Sequence, residues 1–381
     1  KIVKFNKIMP SLILFIICYL PWRNHLCYVT NKEMMRAEVE INYICVIIAL
    51  NAPLPYNLIN LSPLLLKIWM WNRKHLLDIE AFSRKDIENL IALAKRLEPF
   101  SGINKSKKFR PLDLCSGQIM TLWFESGKEN STRTFGSFPA AMIRLGGSCK
   151  VFDEATSSMT KGESLEDTTR ILSGHSDVIV DRHRDANHVR IVSSVSAVPV
   201  INAGNGSEQH PTQTLLDLYT IVRKFGRIDG LKVAVVGDLK YGRTVHSLVK
   251  GLEKFGVHVT GISPEGLELP REFMTAGYEE RIIDMSKLGN VLSELKPDVV
   301  YATRIQEERF SGNSGKYTYV IDKAVLSSLP KNSVIMHALP RVSELSREID
   351  SDERSIYFKQ ADNGVPVRMA ILCLLLGHEF E

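Results

Sequence analysis

Ile119-Met120-Thr121-Leu122-Trp123-Phe124, followed closely by Ser131-Thr132-Arg133-Thr134, is the part of this chain from which its organisation can be read. The first stretch is a continuous apolar run, which is typical of a strand buried on both faces of a parallel sheet. The second opens a helical segment that ends at Gly146-Gly147. Hydroxyl groups, a guanidinium and the unpaired N–H groups of a helix start together suit a phosphate-like anion. An ordinary helix N-cap uses the same hydroxyl residues, so both interpretations stand at this point.

Apolar runs and segments of helical spacing alternate along the chain, beginning with a predicted helix over His75 to Phe100 that has Ser83 as its N-cap. This alternation predicts an α/β fold of two doubly wound parallel-sheet domains. We expect one domain at 74–225, a second at 226–360 and a C-terminal helix at 361–381 that packs back on the first. The predicted strands are Gln118–Phe124, Ser148–Phe152, Asp177–Asp181, Pro199–Asn202, Lys232–Val236, Val257–Ile262, Asp298–Thr303 and Ser333–Met336.

Residues 1–73 form an N-terminal extension with a different character. Lys1, Lys4 and Lys7 precede an apolar run from Leu12 to Leu20. About ten apolar residues are too few for a helix to cross a bilayer, so stable membrane insertion is not expected. A signal-like leader, organellar or secretory, is one interpretation. A non-native extension is the other, because the first residue is Lys.

Composition excludes several classes of function. The chain has 381 residues and a net charge of +5, and its Lys and Arg residues are dispersed, so nucleic acid is not an expected partner. The six cysteines show no paired spacing, which argues against a zinc site and against a disulfide framework. We therefore expect no metal, no cofactor and a cytoplasmic setting.

Polar side chains follow most of the predicted strands. Ligands of open parallel sheets bind at the carboxyl ends of the strands. Four or more arginines would meet there, which predicts a substrate with several anionic groups. The polar segments are Ser131-Thr132-Arg133-Thr134, Arg182-His183, His210-Pro211-Thr212-Gln213, Arg243, Arg304-Ile305-Gln306 and His337-Ala338-Leu339-Pro340-Arg341.

Two polar motifs of the first half have both a functional and an ordinary interpretation. Ser157 and Lys161 stand four residues apart and would face one anion if the segment is helical; a solvated loop is the alternative. His210 and Gln213 flank the first turn of a helix whose first position is Pro211. Histidine can donate to a carbonyl oxygen and glutamine can bind an amide or amine, although a capping histidine beside a solvated glutamine fits equally.

The second half contains a segment that resembles a nucleotide-binding loop. Gly237 to Thr244 matches GxxxxGK[ST] except that Arg243 replaces the lysine, and Asp298, the acidic residue considered for magnesium, precedes its strand instead of following it. We interpret it as a strand–turn–helix junction that brings Arg243 to the cleft. Arg304 and Gln306 alternate beyond a predicted strand, so both can point the same way. Arg304 can bind a carboxylate, or form a surface salt bridge instead. The Leu339-Pro340 turn offers carbonyl oxygens that could accept from an NH₂ group. The alternative is that the proline only shapes the loop and binds no ligand.

Taken together, these motifs resemble those of the aspartate carbamoyltransferase family from about Lys74 to the end of the chain. The segments that carry the resemblance are those above together with Lys161-Gly162-Glu163, Val180-Asp181-Arg182-His183, Asn202-Ala203-Gly204, Leu216-Asp217, Val236 to Leu248, Thr303 to Arg309 and Leu339-Pro340-Arg341.

The resemblance implies a role for each motif residue, with carbamoyl phosphate and L-aspartate as substrates and catalysis by Arg133, Thr134, Arg182 and His210. It implies a homotrimer, in which Ser157 and Lys161 reach the site of the neighbouring subunit. For carbamoyl phosphate the implied ligands are Ser131, Thr132, Arg133, Thr134, Arg182, His210, Gln213, Leu339 and Pro340. For aspartate they are Lys161, Arg243, Arg304 and Gln306.

The implied chemistry is attack of the aspartate amine on the carbamoyl carbon, with fixed donors that stabilise the developing oxyanion and the leaving phosphate. Ornithine carbamoyltransferase is one alternative, and a non-catalytic family member is another. Three features depart from the family pattern: a longer link over Glu125 to Asn130, Phe135-Gly136 after the threonine, and Ala338 before Leu339.

Overall fold

The structure is a computed structural model that describes residues 16–18, 25–27, 74–102, 111–125, 131–306 and 317–380. The chain divides into two compact units, Lys1–Trp69 and Met70–Glu381. In the first unit, Ile16–Cys18 pairs with His25–Cys27 as two antiparallel strands. The rest of the predicted leader lies outside the described residues. Everything below concerns the second unit.

The described residues of the second unit form nine strands in two parallel sheets. The first sheet has the order β2-β1-β3-β4 and the second has the order β9-β8-β5-β6-β7. The strands are β1 Ile119–Phe124, β2 Ser148–Asp153, β3 Val178–His183, β4 Val200–Asn205, β5 Lys232–Val236, β6 His258–Ser263, β7 Tyr278–Ile282, β8 Val299–Ala302 and β9 Val334–His337. The predicted fold class is confirmed; β5 has the predicted bounds, and the other strand ends differ from the predicted ones by at most three residues.

Helices connect the strands in the parallel crossover pattern. The described α-helices are α1 Arg84–Leu97, α2 Thr132–Arg144, α3 Leu165–Gly174, α4 His188–Val195, α5 Pro211–Phe225, α6 Arg243–Glu253, α7 Leu288–Leu295, α8 Lys323–Ser328, α9 Tyr357–Asp362 and α10 Gly364–Leu376. None of the helices in the described ranges combines the length and the hydropathy needed to cross a membrane.

The strand order places a switch point in each sheet. In the first sheet the chain leaves β1 towards β2 and returns to β3 on the other side of β1. In the second sheet it leaves β5 towards β6 and returns to β8 on the other side of β5. A crevice forms at such a point because the connections on the two sides run in opposite directions. Ligand-binding segments are therefore expected after β1, β3, β5 and β8.

The C-terminal helix α10 is apolar on every side, as expected for a helix that is buried all round. It packs against α1, α2 and α5, and residues such as Val367, Met369 and Ile371 are fully buried. This packing explains why the last helix of the chain belongs to the core beside the first sheet.

Two sequence predictions were wrong in this region. Residues 75–82 are not helical, because the backbone N–H of Leu76 donates to Val200 O at 2.8 Å and Leu76 forms a parallel bridge with Ile201 at the edge of β4. The helix begins at Arg84, where Ser83 and Asp86 form a capping box, as the position of Ser83 predicts. Strand β7 was missed, because this partly exposed edge strand has charged residues in place of a continuous apolar run.

Candidate active site

A cavity of about 690 Å³ opens at the carboxyl ends of both sheets. Its walls come from the segments that follow the two switch points and from the loop after β9. The charged side chains among its described lining residues are all arginines, which makes it a site for anions. The predicted site residues that line it are Ser131, Arg133, Thr134, Arg182, His210, Gln213, Arg243, Arg304, Gln306, Leu339 and Pro340.

The start of α2 forms one wall of the cavity. Ser131 is the N-cap, and its Oγ accepts from the backbone N–H of Thr134 at 3.3 Å. Arg133 also lines the cavity, and burial lowers the pKa of its guanidinium. The N-cap interpretation of Ser131 is confirmed, and the capped helix start lies beside the cavity, where the anion cradle stays a prediction. Thr132 is exposed and lies outside the cavity lining.

Arg182 and Arg243 meet over the backbone of Gly204. Arg182 Nη1 donates to Ala203 O at 3.0 Å, and Arg243 Nη1 donates to Gly206 O at 2.7 Å. A Cβ atom on Gly204 would lie 3.0 Å from Arg182 Nη1 and 3.2 Å from Arg243 Cζ, and its φ is +115°. Only glycine allows both this backbone conformation and this close approach. The end of β4 thereby brings one arginine from each sheet to the same place.

Asp238 organises the wall of the cavity that follows the strands of the second sheet. Its fully buried carboxylate accepts from the backbone N–H of Tyr241 at 2.9 Å and from that of Gln306 at 3.1 Å. The Gln306 side chain then donates from Nε2 to Tyr241 O at 2.8 Å. One carboxylate thus ties the loop that carries Arg243 to the segment that carries Arg304. The interpretation as a strand–turn–helix junction is confirmed by β5 and α6 on either side of that loop.

His210 is an uncharged member of the cavity wall. The pKa of its imidazole lies well below the usual value, because burial and then Arg182, Arg243, Arg368 and Arg133 disfavour a positive charge. Its backbone N–H donates to Ser247 Oγ at 2.8 Å, which fixes its place at the start of α5. A neutral imidazole keeps one N–H donor, so His210 can polarise an oxygen atom without holding a full charge.

Ser157 and Lys161 do not line the cavity of their own chain. Ser157 caps a short 3₁₀ helix, Ser158–Lys161, and its Oγ donates to Glu154 O at 2.8 Å. Lys161 is exposed. Both residues therefore lie outside the cavity, in the segment that follows β2, with Lys161 at the surface.

Behind Arg182 lies a group of ionisable side chains, the half-buried Glu154 and His183 and the buried His188, whose ligand atoms are close enough to hold a metal ion. His183 Nδ1 accepts from Asp185 N at 2.9 Å, so in the neutral ring its Nε2 carries the proton and faces Glu154. His188 lies between Asp181 and Glu154, at 3.1 Å and 3.3 Å. These carboxylates raise the pKa of His188 to about 10 against the effect of burial. The protons on the two histidine rings therefore already occupy the space between the carboxylates that a metal ion would take.

Sequence reasoning missed several residues of the site. It assigned no role to Arg184, Ser207, Tyr241, Thr244 and Thr303, which also line the cavity, as does His337, which it placed in a polar segment after a strand. Asp217 and Arg368 are buried immediately behind it and shift the pKa values of residues around them. Arg184 is adjacent to the Arg182-His183 motif, which was a usable signal. Arg368 gave no such signal, because it is a single charged residue within the apolar sequence of α10.

The fold and the cavity define an α/β protein with an arginine-rich anion site at the switch points of two parallel sheets. Comparison with known proteins agrees. Residues 74–223 match the family described as Aspartate/ornithine carbamoyltransferase, carbamoyl-P binding domain, and residues 229–375 match Aspartate/ornithine carbamoyltransferase, Asp/Orn binding domain. The chain belongs to the aspartate/ornithine carbamoyltransferase family.

Similar proteins of known name include catalytic subunits of aspartate carbamoyltransferase. The one from Thermococcus gammatolerans is 46% identical over 315 residues, which cover 81% of this chain and 99% of that protein. The one from Methanococcus vannielii is 47% identical over 309 residues, 79% of this chain and 98% of that protein. The crystal structure of aspartate transcarbamoylase from Trypanosoma cruzi with aspartate and phosphate has a TM-score of 0.70 and 41% identity, covering 78% of this chain and 94% of that chain.

Proposed function

We propose that this chain is an aspartate carbamoyltransferase, which moves the carbamoyl group of carbamoyl phosphate to L-aspartate and releases phosphate. The observation that carries the proposal is the meeting of the α2 cradle and Arg182 with Arg243, Arg304 and Gln306 around one cavity. Two anionic substrates can bind side by side in it. The product, N-carbamoyl-L-aspartate, is a precursor in pyrimidine synthesis.

Carbamoyl phosphate binds on the wall made by the first sheet. The N–H groups at the start of α2, the hydroxyls of Ser131 and Thr134 and the guanidinium of Arg133 hold the phosphate. Thr132 is included in this set by the resemblance alone, since its side chain is exposed. Arg182, Thr134 and His210 donate to the carbamoyl oxygen. Gln213 and the carbonyl oxygens of Leu339 and Pro340 accept from the carbamoyl NH₂.

L-aspartate binds on the wall made by the second sheet. Arg243 and Arg304 pair with its two carboxylates, and Gln306 orients the side of the molecule that faces Tyr241. The described lining offers arginines as its charged groups, so a cationic side chain such as that of ornithine would meet like charges. This charge balance favours aspartate over ornithine.

The reaction needs no covalent intermediate with the protein. The amine nitrogen of aspartate bonds to the carbamoyl carbon, the bond from that carbon to the phosphate oxygen breaks, and the electron pair leaves with phosphate. The amine loses a proton, which the departing phosphate accepts. Donors aimed at the carbamoyl oxygen stabilise the charge that builds there, and losing one such donor typically costs about 3 kcal/mol. Holding both substrates together supplies much of the remaining acceleration.

We also propose a homotrimer in which Ser157 and Lys161 complete the site of a neighbouring subunit and contact its substrates. The exposure of Lys161 and its absence from the lining of the cavity in its own chain support this arrangement. The first sheet then belongs to the carbamoyl phosphate domain, 74–225, and the second to the aspartate domain, 226–360. Helix α10 packs back on the first domain. The enzyme works in the cytoplasm, where buried thiols such as Cys115 and Cys373 stay reduced.

A direct test is to incubate the purified full chain with carbamoyl phosphate and either aspartate or ornithine, and to measure the two carbamoylated products separately. Turnover with aspartate is expected. Turnover with ornithine alone would overturn the proposed specificity. No turnover with either acceptor would support the non-catalytic alternative. Sedimentation of the same preparation at three times the chain mass is expected for the trimer.

A further inference from the structure

The fully buried carboxylate of Asp217 lies one helical turn behind Gln213 on α5. Its Oδ1 accepts from Gln213 Nε2 at 2.9 Å and from Gln360 Nε2 at 2.6 Å. Its Oδ2 accepts from the hydroxyl of Tyr301 at 2.9 Å. The three donors come from α5, α9 and β8, so this one side chain joins the first sheet's last helix to the second sheet and to the C-terminal segment.

The contact with Asp217 decides which end of the Gln213 amide can face a substrate. A glutamine amide can turn its NH₂ or its oxygen towards a ligand, and the two are close in shape. Because a carboxylate only accepts, it holds the Gln213 nitrogen, and the amide oxygen is what Gln213 can offer to a ligand. Gln213 lines the cavity among arginine and hydroxyl donors. An acceptor at this point selects a ligand that carries an N–H.

Asp217 also orients Gln360, which connects it to the loop of Leu339 and Pro340. Gln360 donates its Nε2 to Asp217, and its Oε1 accepts from the backbone N–H of His337 at 2.8 Å. His337 Nδ1 in turn accepts from the backbone N–H of Leu339 at 2.7 Å. The carboxylate therefore sets the orientation of Gln360, which anchors the end of β9 from which the Leu339 and Pro340 carbonyls enter the cavity.

The three donors around Asp217 assign the ionised form, although burial works against it. Burial raises the pKa of Asp217 to about 7, while hydrogen bonds from Gln360, Gln213 and Tyr301 and the charge of Arg368 act in the opposite direction. Only the ionised form accepts from all three donors at once. A neutral amide in its place would present an NH₂ group to at least one of them, and that partner would have to turn.

We propose that Asp217 is a positioning residue that makes the site select the NH₂ of the carbamoyl group, by orienting Gln213 and the Leu339-Pro340 loop together. The proposal rests on the proposed function and deepens it. It assigns to a residue outside the cavity the discrimination between a carbamoyl group and an acyl group of equal size.

The test compares three phosphates in the full-length wild type and in Asp217→Asn. Carbamoyl phosphate carries the NH₂, acetyl phosphate carries a methyl group in its place, and inorganic phosphate carries neither. In Asp217→Asn we expect kcat/KM for carbamoyl phosphate to fall about 30-fold, the effect of a lost hydrogen bond to a charged group. Inhibition by acetyl phosphate and by inorganic phosphate should stay within about twofold, since no acceptor is needed for either.

A parallel weakening of all three phosphates would overturn the proposal, because it would mean general damage to the site. Unchanged selectivity for carbamoyl phosphate would overturn it as well. Gln213→Ala should show the same pattern, and the double variant should be little worse than Gln213→Ala, since both changes remove one interaction. Asp229→Asn, an exposed change outside the cavity, is the matched control.

Tyr301→Phe serves if Asp217→Asn does not fold, because it removes one donor and keeps the carboxylate. The same selective loss is expected, at a smaller size, and a parallel loss for all three phosphates would again overturn the proposal. Wild-type turnover separates this test from that of the proposed function. An inactive wild type would overturn the function, whereas an active wild type with unselective variants would overturn only the role of Asp217.

Discussion

Nδ1 of His188 lies 3.1 Å from Oδ2 of Asp181, and both side chains are buried. The pair stands directly behind Arg182, because Asp181 and Arg182 point to opposite faces of β3. Burial opposes the ionisation of Glu154, but hydrogen bonds from His183, His188 and Trp123 outweigh it and hold the pKa of that carboxyl far below its usual range. The charged His188 therefore compensates two buried carboxylates.

His188→Asn should destabilise the protein by about 3 kcal/mol at neutral pH, since it leaves buried carboxylates without their counter-charge. The pKa of His188 is raised to about 10 in the folded chain, against about 6.5 when unfolded. Its contribution is fully present below pH 6.5 and is lost as the pH rises through 10. Urea unfolding at pH 6, 8 and 10 should show a shrinking difference from wild type. The control is His258→Asn, which removes an exposed ion pair with Glu279 and should change stability little. A pH-independent difference would contradict the assignment.

Gly204→Ala should impair both substrate sites together. A methyl group there would meet the guanidinium groups of Arg182 and Arg243, at a φ of +115° that alanine rarely adopts. We expect kcat/KM to fall at least about tenfold for each substrate, given a backbone and contact cost of about 1–3 kcal/mol. Steady-state kinetics with each substrate varied would measure it. Gly174→Ala is the matched control, because a Cβ there has open space around it. A loss confined to one substrate would disagree with the shared position.

Arg304→Ala should raise KM for aspartate and leave the affinity for carbamoyl phosphate nearly unchanged. The loss of one charge-assisted pair with a carboxylate is worth about 1.5–3 kcal/mol, which corresponds to roughly 10- to 150-fold. Isothermal titration with carbamoyl phosphate and kinetics with varied aspartate distinguish the two effects. Arg271→Ala, in a short 3₁₀ helix outside the cavity lining, should behave as wild type. An equal loss for both substrates would argue against a separate aspartate wall.

His210→Ala should lower kcat about a hundredfold without changing the shape of the pH–rate profile between pH 6 and pH 9. The reason is that burial and the surrounding arginines keep the pKa of His210 well below 6.5, so the imidazole stays neutral over this range. It then acts as a hydrogen-bond donor while the leaving phosphate accepts the proton. If the variant loses the basic limb of the profile, histidine is the base and this assignment is wrong.

Much of the cavity lining could be predicted from local sequence patterns. Apolar runs followed by Ser131 to Thr134, Arg182 and Arg304 identify strands with polar carboxyl ends, and parallel topology requires those ends to share one edge. The edge strand β7 and the segment around Leu76 escaped prediction, because pairing at a sheet edge depends on the neighbouring strand more than on local composition. The substrate-binding roles of all the predicted site residues remain predictions, and Thr132, Ser157 and Lys161 lie outside the cavity lining.

The sequence by itself determined the fold class and most of the residues that line the cavity, because hydrophobic periodicity is a local property of the sequence and parallel strands bring their carboxyl ends to one edge of a sheet. Only the tertiary structure decided how those residues are held. Asp217 reads as one polar position in a helix, and His188 as another, until folding brings Tyr301 and Gln360 to the first and Asp181 and Glu154 to the second. Burial then turns ordinary hydrogen bonds into strong constraints, since water no longer competes for the same groups.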